Sequence, residues 1–135
     1  MNLLLLSAIS IIALVLVGCE PNAPSNYKPK PFSVSQTKQV TFSPGNLQYH
    51  PATAKWRFAD SQTDYIGDAN TNISDTYNGW IDLFGWGTGD YPTNISEDHR
   101  DYANFVDWGS NKIGKERPNT WRTLTMEEWE YLLYD

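Results

Sequence analysis

Aromatic side chains outnumber Ile, Leu and Val over most of this 135-residue chain. Between residue 19 and residue 135 there are 19 Phe, Trp and Tyr residues but only 13 Ile, Leu and Val residues. Trp and Tyr carry polar N–H and O–H groups that need partners when the rings are buried. A core built from rings therefore predicts an irregular, loop-rich α+β fold with many side-chain hydrogen bonds, and it excludes a helical bundle.

The first 18 residues contain no charged side chain, and residues 3–17 are apolar except for two serines. A membrane-spanning helix needs about 20 such residues, so the run fits the apolar part of a secretory signal better. It ends in Leu16-Val17-Gly18-Cys19, which places a small residue directly before the one cysteine of the chain.

This ending resembles the lipobox of bacterial lipoproteins, in which the cysteine thiol receives a diacylglycerol before the leader is cleaved. The resemblance implies that residues 1–18 are a signal peptide, that Cys19 becomes the lipidated and palmitate-bearing first residue, and that the protein is anchored in the cell envelope, at the outer membrane. An uncleaved signal anchor and a chain with a buried thiol remain as alternatives. Several acyl chains together hold a protein firmly to a bilayer.

Charge and cysteine content limit the other partners. The chain has 10 Lys and Arg residues against 16 Asp and Glu residues, a net charge of -6, and no basic cluster. Phosphate binding needs a field of the opposite sign, so we expect no nucleic-acid partner. One cysteine excludes an internal disulfide framework and a thiolate zinc cluster, and we expect no cofactor.

Composition and periodicity divide the remaining chain. Residues 19–31 carry four prolines and indicate an extended tether between lipid and domain. The domain occupies residues 32–135. Alternation of apolar and polar residues predicts a strand around Val40 and Phe42, and a hairpin whose arms are Leu47–Tyr49 and Trp56–Phe58. Residues 80–84 predict a buried strand, whereas residues 59–79 and 88–120 predict loops, with Phe105, Val106 and Trp108 contacting the core.

The last segment predicts a helix that begins at Thr125. Thr125 and Glu128 have the spacing of a capping box, and Trp129, Leu132 and Leu133 fall on one apolar face. No glycine, proline or basic last turn precedes Asp135. We therefore expect the domain to continue beyond the sequence given; the alternative is that a partner supplies the missing surface.

Residues 122–131 (RTLTMEEWEY) resemble a segment of the formylglycine-generating enzyme (sulfatase-modifying factor) superfamily, with Arg, Thr, Glu, Trp, Glu and Tyr in register. That resemblance implies a fold related to the C-type lectin-like domain, with small antiparallel sheets beside one or two helices. A group of surface lipoproteins from Bacteroidetes-type bacteria is similar at residues 42–49 (FSPGNLQY), 56–59 (WRFA), 79–88 (GWIDLFGWGT) and 107–109 (DWG). That group has no settled activity.

The oxidase chemistry of the superfamily does not transfer to these residues. Its catalytic cysteines lie C-terminal to the matched segment, and Cys19 lies in the leader. Copper in such enzymes needs thiolate ligands, so no complete catalytic site is expected. His50 and His99 are the candidates for a general base at neutral pH, but neither has a nucleophile in a recognisable local motif.

Ligand binding is the remaining type of site. Trp80, Trp86 and Trp108 lie among Gly, Asp and Asn, and a ring face beside carboxylates such as Asp82 and Asp107 suits a sugar. The alternative is that these rings fill a core poor in aliphatic residues.

A loop with oxygen ligands at alternate positions, Asp68, Asn70 and Asn72, is a weak candidate for calcium. The glycine and the glutamate of a calcium loop are missing from it. The alternative is a solvated loop.

Two functional hypotheses follow. The first is a non-catalytic, lipid-anchored envelope protein whose domain binds a glycan or a protein. The second is the N-terminal part of a formylglycine-generating-type enzyme, or an inactive gene fragment. Paired cysteines beyond Asp135 would discriminate between them.

Overall fold

The computed structural model describes residues 12–14, 30–96, 98, 100 and 104–134, with the backbone alone described for 12–14. The strands are β1 (Ile12–Leu14), β2 (Pro31–Ser33), β3 (Gln39–Phe42), β4 (Leu47–His50), β5 (Lys55–Phe58) and β6 (Trp121–Thr123), and the helix is α1 (Met126–Tyr134). Short 3₁₀ turns cover Pro51–Thr53, Gly67–Asn72 and Trp108–Ser110. Small antiparallel sheets with one helix make this an α+β fold, as the composition predicts.

The larger sheet has the strand order β2-β3-β1-β6. Strand β1 pairs antiparallel with β3 on one side and with β6 on the other. Strand β2 is at the edge and starts with Pro31, whose missing N–H is tolerated there. Pro31 was assigned to the tether on composition, but it pairs with Thr41 in the sheet.

The second sheet is the predicted hairpin. Strands β4 and β5 pair antiparallel over four residues each, with Leu47 opposite Phe58 and His50 opposite Lys55. The turn contains Ala54 in the left-handed conformation, at φ 50°. The hairpin prediction is therefore confirmed, with each arm one residue longer.

Two hydrophobic clusters form the core. The first, which we call the aromatic cluster, includes residues of the hairpin and is half aromatic: Leu47, Trp56, Ile81, Phe84, Trp108 and Ile113 are all buried. Edge-to-face ring contacts join Trp56 to Phe84 and Phe84 to Trp108, at centroid distances of 5.5 and 5.4 Å. Such contacts are the favoured geometry for packed rings.

The second cluster joins the larger sheet to the helix. Val34, Val40 and Leu124 are buried, with Phe42, Trp129 and Leu132 packed against them. Helix α1 begins as predicted: the Glu128 N–H donates to the Thr125 hydroxyl, and the Thr125 N–H donates to the Glu128 carboxylate. The capping box is therefore confirmed.

Two sequence predictions are corrected. Residues 80–84 do not form a strand: Ile81 makes an isolated bridge with Tyr49, and Leu83 is exposed. Leu133 does not share the buried face of the helix with Trp129 and Leu132, because 67% of it is exposed.

Cys19, which is predicted to be lipidated, lies outside the described residues, as do most of the predicted leader and nearly all of the predicted tether. The exception in the leader is residues 12–14, which form β1. In the described part of the chain, no helix has the length and apolar content needed to cross a membrane.

Candidate functional site

The three tryptophans proposed as ligand contacts have three different environments. Trp108 is 1% exposed and belongs to the aromatic core cluster. Its indole has no free face for a ligand. Trp108 is therefore a core residue, which is the alternative to sugar binding. The short turn that it opens places the ring under the loop that carries Trp86, and the two ring centroids are 5.6 Å apart.

Trp80 is half-buried, and a cation covers one of its faces. The Arg57 guanidinium carbon lies 3.8 Å from the Trp80 ring centroid, a cation–π contact. Arg57 is itself held by its Nε, which donates to Gln48 Oε1 at 2.8 Å. The His50 ring meets Trp80 edge-on, at 5.2 Å between centroids. Trp80 is therefore engaged by the hairpin, and Arg57 closes one face of its ring to a ligand.

Trp86 is the exposed member of the three. It is 50% exposed, and the neighbouring Phe105 is 52% exposed. The centroids of the two rings are 5.7 Å apart, and their planes are tilted by 44°. Phe105 was predicted to contact the core, and the structure places it on the surface instead. We call Trp86 and Phe105 together the ring pair.

Backbone contacts fix the ring pair in place. The Val106 N–H donates to the Gly87 carbonyl, and the Gly89 N–H donates to the Val106 carbonyl, both within 2.9 Å. Gly87 has φ +72°, and a Cβ at this position would lie 2.5 Å from the Phe105 ring. Glycine is thus required by both the backbone conformation and the close approach of the ring.

Asp82 has a structural partner rather than a free carboxylate. Its Oδ2 accepts from the Ile66 N–H, and its Oδ1 accepts from Asn70 Nδ2, both at 2.8 Å. Asn70 Oδ1 accepts from the backbone N–H groups of Asp82 and Leu83 in return. The two side chains tie the 3₁₀ turn to the segment that follows Ile81.

The candidate calcium loop is this same 3₁₀ turn. Asn70 Nδ2 also donates to the Gly67 carbonyl, so its carboxamide makes two donor and two acceptor bonds, which is its full capacity. The Asn72 amide donates to the Ala69 carbonyl. Asn70 therefore has no oxygen lone pair left for a cation. Among the described residues, no three His, Cys, Asp or Glu side chains form a group that could hold a metal.

Asp107 is also occupied. Its Oδ1 accepts from the Gly109 N–H at 2.7 Å, which caps the turn under Trp108. Its Oδ2 accepts from the N–H and the hydroxyl of Thr123 in β6. Asp107 joins the turn to the sheet, and this use explains its position better than contact with a sugar.

Glu128 is the centre of a charged group that lies outside the predicted ligand sites. The Arg122 guanidinium donates to both carboxylate oxygens, at 2.6 and 2.7 Å, and Lys38 Nζ lies 2.6 Å from Oε1. The Arg122 hydrogen bonds lower the pKa of Glu128 from 4.5 to about 2; burial opposes this shift, and Lys38 adds to it. The spacing of Arg122 and Glu128 in the family-like segment was the available signal.

Of the two candidate general bases, His99 lies outside the described residues. His50 closes β4, and its Nδ1 is buried without a hydrogen-bond partner in the described part of the chain. Its neighbours are the hairpin turn and Trp80, so its environment is that of a packed ring.

Comparisons with protein families, with curated proteins and with solved structures found no match to this chain. The described elements define the class of the fold as α+β. Of the three tryptophans that the sequence analysis selects, Trp86 is the one that leaves half of its surface exposed, and it does so as part of the ring pair.

Proposed function

We propose that this chain is a lipid-anchored protein of the bacterial cell envelope whose domain binds a glycan without catalysing a reaction. The anchor is the Cys19 thioether-linked lipid, attached after removal of residues 1–18. The support for the anchor is the uncharged apolar leader that ends at Gly18-Cys19. The lipid would hold the domain at the outer membrane through the proline-rich tether.

The observation that carries ligand binding is the half-exposed ring pair. Trp86 and Phe105 are in contact with each other and each leave about half of their surface in water, whereas Trp56 and Trp108 are almost completely buried. Exposed apolar surface of this kind commonly marks an interaction site. The rigid backbone under Gly87 reduces the entropy lost on binding, because the rings are already placed.

A glycan suits the ring pair because the C–H face of a pyranose packs on an aromatic ring while its hydroxyls need polar partners. Asp90 is exposed four residues after Trp86 in the same glycine-rich loop and offers a carboxylate. The indole N–H of an exposed tryptophan also remains available to a hydroxyl. A protein ligand on the same ring pair is the second outcome of the test below.

The test is titration of the purified protein with a panel of soluble oligosaccharides, followed by tryptophan fluorescence and calorimetry. Trp86→Ala and Phe105→Ala are expected to weaken binding at least about tenfold, the effect typical of removing an aromatic anchor. Phe32→Ala is the matched control, because Phe32 is 47% exposed and also packs on a ring, Phe42, in a different part of the domain.

No response of the parent protein to any sugar would contradict glycan binding. Equal affinity of the parent and of Trp86→Ala for a sugar would show that the sugar binds outside the ring pair. If the parent and Phe32→Ala capture an envelope protein but Trp86→Ala does not, the ring pair is still the binding site. Its ligand is then a protein and not a glycan.

A further inference from the structure

A cleft of about 130 Å³ lies beside the hairpin and shares no residue with the ring pair. We call it the hairpin cleft; its lining residues are Gln48, Arg57, Phe58, Ala59, Asp60, Asp64 and Tyr65. We propose that the hairpin cleft binds a free α-amino acid with a basic side chain, whose carboxylate contacts Arg57 and whose ammonium groups contact Asp60 and Asp64. This site is additional to the proposed function and depends on neither the glycan nor the lipid anchor.

Charged side chains of both signs line the hairpin cleft without pairing with each other. Among the described residues, no ion pair joins the Arg57 guanidinium to Asp60 or Asp64. Neither of these two carboxylates accepts a hydrogen bond from the described part of the chain. A ligand that carries both an ammonium group and a carboxylate satisfies both signs, and such electrostatic complementarity gives specificity. The lining therefore favours a zwitterion over a ligand with charges of one sign.

The hydrogen-bond donors of the cleft are already held in place. The face of the Arg57 guanidinium is stacked on Trp80, and its Nε donates to Gln48 Oε1 at 2.8 Å. The two Nη groups bond to no described residue, and their planar fork matches a carboxylate. Gln48 is only 3% exposed, and its Nε2 also donates to no described residue, although a buried amide needs an acceptor. A ligand carboxylate that accepts from Arg57 and Gln48 meets both needs.

Backbone contacts place the acidic residues of the cleft. The Ala59 N–H donates to the Asn46 carbonyl, and Asn46 Nδ2 donates to the Asp64 carbonyl, both at 2.8 Å. The Asp64 N–H donates to the Ser61 carbonyl at 3.1 Å. These bonds hold the loop after β5 against the turn before β4. Less conformational entropy is therefore lost when a ligand ammonium group binds Asp60 and Asp64.

The size and net charge of the hairpin cleft select the kind of amino acid. A volume of about 130 Å³ gives room for about ten water-sized atoms, at about 10–15 Å³ each, which is the size of lysine. The two ammonium groups and one carboxylate of lysine are the complement of the two carboxylates and one guanidinium of the lining. Tyr65, which is 78% exposed, adds an aromatic face for a cation. A basic amino acid therefore fits the cleft better than a neutral or an acidic one.

The test is calorimetric titration of the full chain with L-lysine at neutral pH and low ionic strength, because salt screens charges in an open cleft. Two analogues serve as matched ligands. Cadaverine lacks the carboxylate of lysine, and norleucine lacks its side-chain ammonium group. We expect both to bind at least about tenfold more weakly than lysine, since each leaves a charged group of the cleft without a partner.

Substitutions in the cleft test the two sides separately. Asp60→Asn and Asp64→Asn keep the shape of the side chain, and we expect each to weaken lysine binding at least about tenfold. Arg57→Lys keeps a cation but lacks the fork, and we expect it to lose the preference for lysine over cadaverine. Glu130→Gln is the matched control, because it removes one negative charge from an exposed position outside the cleft. Near-UV circular dichroism establishes that each variant is folded, and the two Asp variants decide the outcome if Arg57→Lys is not.

Several results would overturn the proposal. One is the absence of lysine binding to the parent at millimolar concentration. Equal affinity for lysine and cadaverine would reduce the cleft to an acidic patch, and equal weakening in Asp64→Asn and Glu130→Gln would assign binding to net charge alone. A neutral monosaccharide that binds as tightly as lysine and is lost in Asp64→Asn would assign the cleft to a sugar. Failure of glycan binding at the ring pair is a separate result, because the two sites share no residue.

Discussion

The carboxylate of Glu128 accepts two hydrogen bonds from the guanidinium of Arg122, across the junction between β6 and the helix. This bidentate geometry is the strong form of an ion pair. The Glu128 side chain is only 9% exposed, so solvent screens it little, and its other contacts are Lys38 and the Thr125 N–H. One side chain therefore caps the helix and connects β6 to Lys38, the residue directly before β3.

Removing this charge should destabilise the domain. Glu128→Gln keeps the shape of the side chain but loses the ion pairs, and we expect the free energy of unfolding to fall by about 2 kcal/mol. The loss is no larger because Arg122 is partly exposed and regains water. Urea unfolding followed by tryptophan fluorescence measures the change. Glu130→Gln, on the exposed face of the same helix, is the control and should change stability by less than about 0.5 kcal/mol. Equal effects of the two variants would contradict the role of Glu128.

The same contact predicts how stability depends on pH. The folded-state pKa of Glu128 is lowered from 4.5 to about 2. The stabilisation is therefore complete above about pH 4.5 and is lost as the pH falls toward 2, where the carboxylate becomes protonated in the folded state as well. Unfolding measured between pH 6 and pH 2 should show this loss in the parent and a smaller loss in Glu128→Gln. Parallel curves for the two proteins would show that other groups govern acid unfolding.

Asn70 provides a test of the connection between the 3₁₀ turn and Asp82. Asn70→Asp loses both amide donors and brings a second carboxylate against Asp82, so we expect a loss of about 2 kcal/mol at pH 7. Asn72→Asp is the matched control, because Asn72 is exposed and donates one bond, to the Ala69 carbonyl. Thermal unfolding of both variants measures the difference. A stable Asn70→Asp protein would mean that the loop does not depend on this contact.

Gly109 should tolerate no side chain. A Cβ at this position would lie 1.7 Å from the Trp121 carbonyl oxygen, so the turn under Trp108 and strand β6 would have to separate. We expect Gly109→Ala to cost more than about 3 kcal/mol and to reduce the yield of folded protein. In the control Gly114→Asn, the new side chain enters open space and asparagine tolerates the φ of +58°. Near-UV circular dichroism of both proteins distinguishes the outcomes.

Local patterns predicted the hairpin and the start of the helix because their partners are close in sequence. The alternation at Leu47–Tyr49 and Trp56–Phe58 is sufficient for two paired strands, and Thr125 and Glu128 satisfy each other's backbone groups. Residues 80–84 were misassigned because an apolar run alone does not show whether a neighbouring strand exists. Only Ile81 finds such a partner, Tyr49.

The exposure of the tryptophans could not be predicted from their similar sequence surroundings. Trp80, Trp86 and Trp108 all lie among Gly and Asp, but the groups that cover them come from distant positions. Arg57 of the hairpin covers Trp80, and Phe84 packs on Trp108. The bonds of Asp82 and Asp107 to Asn70 and Thr123 are likewise long-range contacts, so the sequence could not show that these carboxylates were already occupied.

Membrane fractionation of the parent protein and of Cys19→Ser in the same bacterial host tests the lipid anchor most directly. We expect the parent to sediment with the outer membrane and to need detergent for release, because its acyl chains would be buried in the bilayer. Cys19→Ser, which cannot be lipidated, should lose that outer-membrane attachment. Equal outer-membrane association of the two proteins would show that Cys19 does not anchor the protein.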